Sequence, residues 1–114
     1  MTREELVKAI LRMPEEIDAA EIRVTHTVES MVIASNNLEA LENSYRLSST
    51  GIPGKNAEER TAWLHSKTVN CRAMLENKER SHRHAQSNLK KQNNRFRAYL
   101  AVARLTGDNE NVKE

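Results

Sequence analysis

Apolar residues recur at heptad spacing through the first 45 residues of the chain. One row has members seven residues apart from Ile10 to Tyr45, and a companion row runs from Leu6 to Leu41. A heptad repeat of this length is typical of helices that pack side by side along a seam. Because the repeat passes Pro14 without a change of phase, the first arm is either one kinked helix or two helical segments kept in register.

A second heptad repeat follows in the C-terminal half of the chain. Its two rows begin at Ala57 and Thr61 and extend to Tyr99 and Ala103. The long stretch without an internal helix breaker predicts a second arm of similar length to the first. We interpret three polar members of these rows as register residues of the seam: Lys78, His82 and Gln92.

Turn signals separate the two repeats. Gly51, Pro53 and Gly54 lie close together, and Asn56 with Glu59 matches a capping box at the start of a helix. Thr2 with Glu5 matches a second capping box near the start of the chain.

These signals predict a single helical domain over residues 1–107, followed by a frayed tail at 108–114. Gly107 is typical of the residue that follows the last helical turn. The predicted helices span about 3–13, 14–47 and 57–105, and the predicted loop spans 48–56.

The fold class that follows is all-α: an antiparallel hairpin of long helices, resembling a coiled coil, with its first arm kinked or broken at Pro14. A lone hairpin buries little surface, and aliphatic residues such as Val32 and Ile33 lie off the seam. We therefore expect self-association into a helical bundle, as a dimer or a tetramer. Packing of the two arms within one chain and exchange of arms between chains would use the same seam.

The composition agrees with a mostly helical, cytoplasmic protein. Of 114 residues, 30% are charged and 4% aromatic, with 3 Gly and 2 Pro. This argues against sandwiches, barrels and doubly wound sheets. The single cysteine, Cys71, rules out an intrachain disulfide, and no apolar run is long enough to span a membrane.

Charge is distributed unevenly along the chain. Residues 1–50 carry five basic and nine acidic side chains, whereas residues 78–97 carry seven basic side chains and one acidic. These seven are candidate contacts to nucleic-acid phosphates, and four nearby amides can add hydrogen bonds: Asn88, Gln92, Asn93 and Asn94. The seven basic residues are Lys78, Arg80, Arg83, Lys90, Lys91, Arg95 and Arg97.

Internal charge pairing is the alternative explanation of the same asymmetry. In an antiparallel hairpin, four carboxylates of the first arm fall roughly opposite residues 83–91, where they would fix the orientation of the arms. These carboxylates belong to Glu15, Glu16, Asp18 and Glu21.

No catalytic, metal or cofactor site emerges from the remaining residues. The segment 51–56 lacks the glycine spacing and the Ser or Thr of a phosphate-binding loop. His82 and His84 are two residues apart, so on a helix they point in different directions. Cys71 lies in the seam without an acid–base partner. We expect a protein that is not an enzyme and needs no cofactor.

Gly54, Asn56 and Arg60 have a structural explanation as a loop clamp. Gly54 supplies an unusual backbone angle, Asn56 caps the following helix, and Arg60 reaches carbonyl groups nearby.

The spacing Gly-x-Asn-x-x-x-Arg between two long amphipathic helices, followed by the apolar run at 96–105, resembles small helical-hairpin proteins of phages and prophages. The similarity covers the layout of the whole hairpin. It implies a phage-encoded helical protein of the host cytoplasm, expressed with early replication or recombination functions. It assigns no catalytic residue.

Two functions remain open. The first is a non-enzymatic helical oligomer that acts as a protein-interaction or structural module. The second is a nucleic-acid-associated accessory protein that uses the basic segment 78–97.

Overall fold

The computed structural model describes the backbone of residues 1–113 and the side chains of residues 1–107. Its elements are α1 (Arg3–Arg46), α2 (Ala57–Lys67) and α3 (Val69–Lys113). Over the residues that it describes the fold is all-helical, as expected. The predicted frayed tail, 108–114, lies outside the fully described residues.

The first arm is one helix. Pro14 lies inside α1, which continues to Arg46, so the prediction of separate helices at 3–13 and 14–47 is replaced by a single element. The start of α1 carries the expected reciprocal cap, since the Glu5 amide donates to the Thr2 hydroxyl at 3.1 Å and the Thr2 amide donates to the Glu5 carboxylate at 3.1 Å. The unbroken heptad phase across the proline is explained by this continuity.

The second arm is interrupted at Thr68, where a single helix over 57–105 was expected. The Thr68 amide donates to both Leu64 and His65 carbonyls, and its hydroxyl donates to the Leu64 carbonyl at 2.8 Å. Its carbonyl in turn accepts from the Arg72 amide at 2.9 Å and begins α3. The backbone of Thr68 leaves helical geometry (φ −112°, ψ 13°), so this residue closes the last turn of α2 and opens the first turn of α3.

The end of α3 also differs from the prediction. Gly107 lies inside α3 rather than after its last turn. A glycine that terminates a helix adopts a positive φ. In the described backbone, Gly51 (φ 66°) and Gly54 (φ 143°) are the residues with positive φ.

The chain divides into two compact units, and α1 and α3 contribute to both. Unit 1 comprises Met1–Thr25 and His84–Glu114. Its buried side chains come mostly from the row that starts at Leu6, with one from α3. They are Leu6, Ala9, Met13, Ala20 and Ala85.

Unit 2 comprises His26–Arg83. Its buried side chains belong to α1, to α2 and to the residue between α2 and α3: Thr27, Ala34, Leu38, Leu64 and Thr68.

Three side-chain contacts fix the pairing of helices in unit 2. Tyr45 meets Trp63 edge to face, with ring centroids 5.3 Å apart. Arg72 donates to the Glu42 carboxylate at 2.8 Å. A 3.0 Å hydrogen bond joins the Thr27 hydroxyl to Nδ1 of His82. In these three contacts the α1 residue number decreases from 45 to 42 to 27 while its partner's number increases from 63 to 72 to 82. In this unit α1 therefore runs antiparallel to α2 and α3.

Candidate nucleic-acid interface

The basic segment of α3 is mostly exposed. Lys78 is half-buried in unit 2. The other six cations, which we call the exposed cations, are Arg80, Arg83, Lys90, Lys91, Arg95 and Arg97. They occur on several faces of α3, because neighbouring residues of an α-helix are rotated by about 100°.

The exposed cations have no ion-pair partner among residues 1–107. The expected pairing with the four carboxylates of α1 (15, 16, 18 and 21) is absent from the described side chains, which are exposed on both sides. Two ion pairs that do form share the Glu42 carboxylate, which binds Arg46 and Arg72. The four carboxylates and the exposed cations therefore remain in solvent.

A shallow groove of ≈ 400 Å³ opens within unit 1, between α1 and α3. We call it the basic groove. It has two cations, three amides and two aliphatic side chains, and no carboxylate is among them. Its lining residues are Val24, Gln86, Leu89, Lys90, Asn93, Asn94 and Arg97.

The lining differs from the amides that the sequence indicated. Asn93 and Asn94 line the groove, but Gln92 belongs to the seam, and its Oε1 is buried without a hydrogen-bond partner in the described part of the chain. Gln86 was missed. The signal for it was the spacing of Gln86, Lys90, Asn93 and Arg97, which recur at i, i+4, i+7 and i+11 and so share one helical face.

The loop before α2 holds the second set of candidate residues. The Asn56 side chain accepts from the Glu59 amide at 2.8 Å, and the Arg60 guanidinium donates to the Gly54 carbonyl at 3.4 Å. The Glu59 carboxylate accepts from the Lys55 amide at 2.7 Å rather than from the amide of the capping residue. The segment thus closes on the first turn of α2 through three hydrogen bonds.

Gly54 is confined by that closure. A Cβ placed on it would lie 2.7 Å from the Arg60 backbone nitrogen and 3.0 Å from the Glu59 carbonyl carbon. Its φ of 143° is also one that side-chain-bearing residues rarely adopt. Both constraints require glycine at this position.

Three other side chains that could stack on a ligand or take part in a reaction, those of Trp63, His82 and Cys71, are engaged in packing. Trp63 contacts Tyr45, and Lys67 lies 5.8 Å from the centre of its ring. His82 bonds Thr27, and Cys71 is half-buried. Within the described residues, no group of three or more His, Cys, Asp or Glu side chains is arranged to hold a metal ion.

No protein-family model, no curated protein and no solved structure matches this chain. Among the described residues, none of the three helices combines the length and the apolarity that crossing a membrane requires.

Proposed function

We propose that the chain is a non-enzymatic helical interaction module that folds as an antiparallel hairpin and self-associates as a dimer or tetramer. The antiparallel contacts of unit 2 support the hairpin. The resemblance at Gly54, Asn56 and Arg60 supports a phage-encoded protein that works in the host cytoplasm.

Exposed aliphatic side chains on α1 carry the self-association proposal. In unit 2, Val28, Val32 and Ile33 are 37%, 47% and 60% exposed. In unit 1, Val7 and Leu11 are 47% and 72% exposed at i, i+4 spacing. Positions i and i+4 share a helical face. Val28 and Val32, with Ile33 beside them, therefore form an apolar patch in unit 2, and Val7 and Leu11 form one in unit 1. Both patches lie away from the buried row. Such patches are typical of surfaces that meet a partner.

A second copy of the chain is the partner that we propose for these patches. Each copy offers carboxylates on α1 (residues 15, 16, 18 and 21) and cations on α3 that form no ion pair among residues 1–107, so two copies complement each other in charge as well as in apolar surface. A different protein partner would need to supply both features.

Light scattering coupled to size-exclusion chromatography tests the proposal. We expect a dimer or tetramer for the wild type and dissociation for Val32→Glu, which places a charge in the unit 2 patch. Asn77→Glu is the matched control, because it adds the same charge at an exposed position of α3 that belongs to neither patch. A wild-type monomer at all concentrations contradicts self-association, and equal behaviour of the two variants contradicts the assigned patch.

The exposed cations support a second candidate function, a nucleic-acid-associated accessory protein of phage replication or recombination. Six basic side chains that have no ion-pair partner among the side chains of residues 1–107 provide general attraction to phosphates. Fluorescence anisotropy of labelled single- and double-stranded DNA, titrated with salt, tests it. Micromolar binding that weakens steeply with salt is expected, and no binding of the wild type at low salt rejects this candidate.

A further inference from the structure

We infer that the basic groove of unit 1 is a binding site for the phosphodiester backbone of double-stranded nucleic acid. The inference rests on the second candidate function and goes beyond it, because it assigns the contact to one groove and to double-stranded rather than single-stranded nucleic acid. General attraction by the exposed cations requires neither.

The charges of the groove select an anion. Lys90 and Arg97 are exposed on its rim and form no ion pair or hydrogen bond with other described side chains. No lining residue is acidic. A phosphate entering the groove therefore meets two unneutralised cations and displaces no internal partner.

The amides of the groove add directional hydrogen bonds. Gln86, Asn93 and Asn94 each provide an NH₂ donor beside the cations. Phosphate contacts from Lys, Arg, Asn and Gln side chains are the ones that position a protein on a duplex. Lys90 and Arg97 are separated by seven residues, a rise of about 10.5 Å along α3, so they reach different phosphates rather than chelating one.

The lack of aromatic side chains in the groove favours a duplex over a single strand. Val24 and Leu89 are aliphatic, and no aromatic ring lines the groove. Proteins that hold single strands stack the bases on aromatic side chains, a contact that this groove does not offer. Paired and stacked bases need no such surface.

The test compares two double variants that remove the same charge. Lys90→Gln with Arg97→Gln changes the groove, whereas Lys91→Gln with Arg95→Gln changes two cations of α3 that do not line it. Each is titrated against a labelled 20-base-pair DNA duplex of our design, a duplex RNA and a single-stranded DNA, at several salt concentrations. Circular dichroism verifies that all three proteins are folded.

We expect the groove variant to bind duplex at least tenfold more weakly than the matched variant. The plot of log affinity against log salt concentration should become shallower by about 1.8 units of slope, as expected for two lost phosphate contacts. Equal losses in the two variants overturn the groove while leaving the second candidate function standing. Wild-type preference for the single strand overturns the duplex assignment. Equal wild-type affinity for a polyglutamate peptide overturns nucleic acid as the ligand. No wild-type binding at low salt rejects both the inference and the function on which it rests.

Discussion

The two positive-φ glycines provide a matched pair that tests the loop clamp. Gly51 has φ 66° and open space around a hypothetical Cβ, whereas Gly54 has φ 143° and a Cβ contact of 2.7 Å to the Arg60 backbone nitrogen. Replacing either by alanine introduces backbone strain. Only Gly54→Ala also forces the loop away from the first turn of α2.

The expected cost of each substitution follows from these contacts. Gly51→Ala should lower the free energy of unfolding by about 1 kcal/mol, the strain of a non-glycine residue at positive φ. Gly54→Ala carries the same kind of strain and two further costs. It displaces the Arg60 backbone, and it weakens the Asn56 cap, which is itself worth about 1 kcal/mol. Its total should therefore reach about 2–4 kcal/mol.

Urea unfolding followed by circular dichroism measures both values. The site of damage can be verified by hydrogen exchange at the Glu59 amide, which donates to Asn56. Gly54→Ala should accelerate exchange there, and Gly51→Ala should not. The reasoning is refuted if Gly54→Ala costs no more than Gly51→Ala, or if the Glu59 amide stays equally protected in both.

Three further substitutions test local contacts. Asn56→Ala should lower the stability by about 1 kcal/mol through loss of the cap, so an unchanged thermal midpoint contradicts the capping role. Gln92→Leu should raise the stability by about 1–3 kcal/mol, because it removes a buried acceptor without a described partner; Gln86→Leu, at an exposed position, is the control, and an equal gain there counts against the argument. Glu42→Gln should cost about 0.5–1 kcal/mol in urea unfolding at low salt and less at 1 M salt, and a cost independent of salt contradicts its ionic origin.

The heptad repeat made the helices and one buried face predictable. The row beginning at Leu6 supplies Met13, Ala20, Thr27 and Ala34, all of them buried. Burial of this kind depends on spacing alone, because a helix keeps i and i+7 on nearly the same face. The Asn56 cap was predictable for a similar reason, since capping joins residues only three apart.

Features that depend on side-chain conformation were not predictable. Thr68 fits the heptad row, and nothing in the row reveals that its backbone leaves helical geometry and separates α2 from α3. Helix periodicity placed carboxylates of α1 near the height of the basic segment, but long charged side chains lose entropy on pairing and gain little at an exposed site. The Glu42–Arg72 pair forms instead at a half-buried position, where solvent screens it less.

The buried side chains explain why a lone chain should be weakly stable. Four of the eight buried apolar residues in the described part of the chain are alanines, whereas thirteen large apolar side chains are exposed there. Burial of a methylene stabilises by about 0.8 kcal/mol, so an alanine-rich seam permits close helix contact but contributes little.

If a second copy covers part of the exposed aliphatic surface, folding and association are coupled, and the thermal midpoint must rise with protein concentration. We expect such a rise over a hundredfold range of wild-type concentration and a smaller one for Val32→Glu. A thermal midpoint of the wild type that does not change with concentration contradicts the coupling, because association of folded chains would have to make the folding equilibrium depend on protein concentration. In that case the alanine-rich seam alone stabilises the fold, and the exposed patches must serve a partner other than this chain.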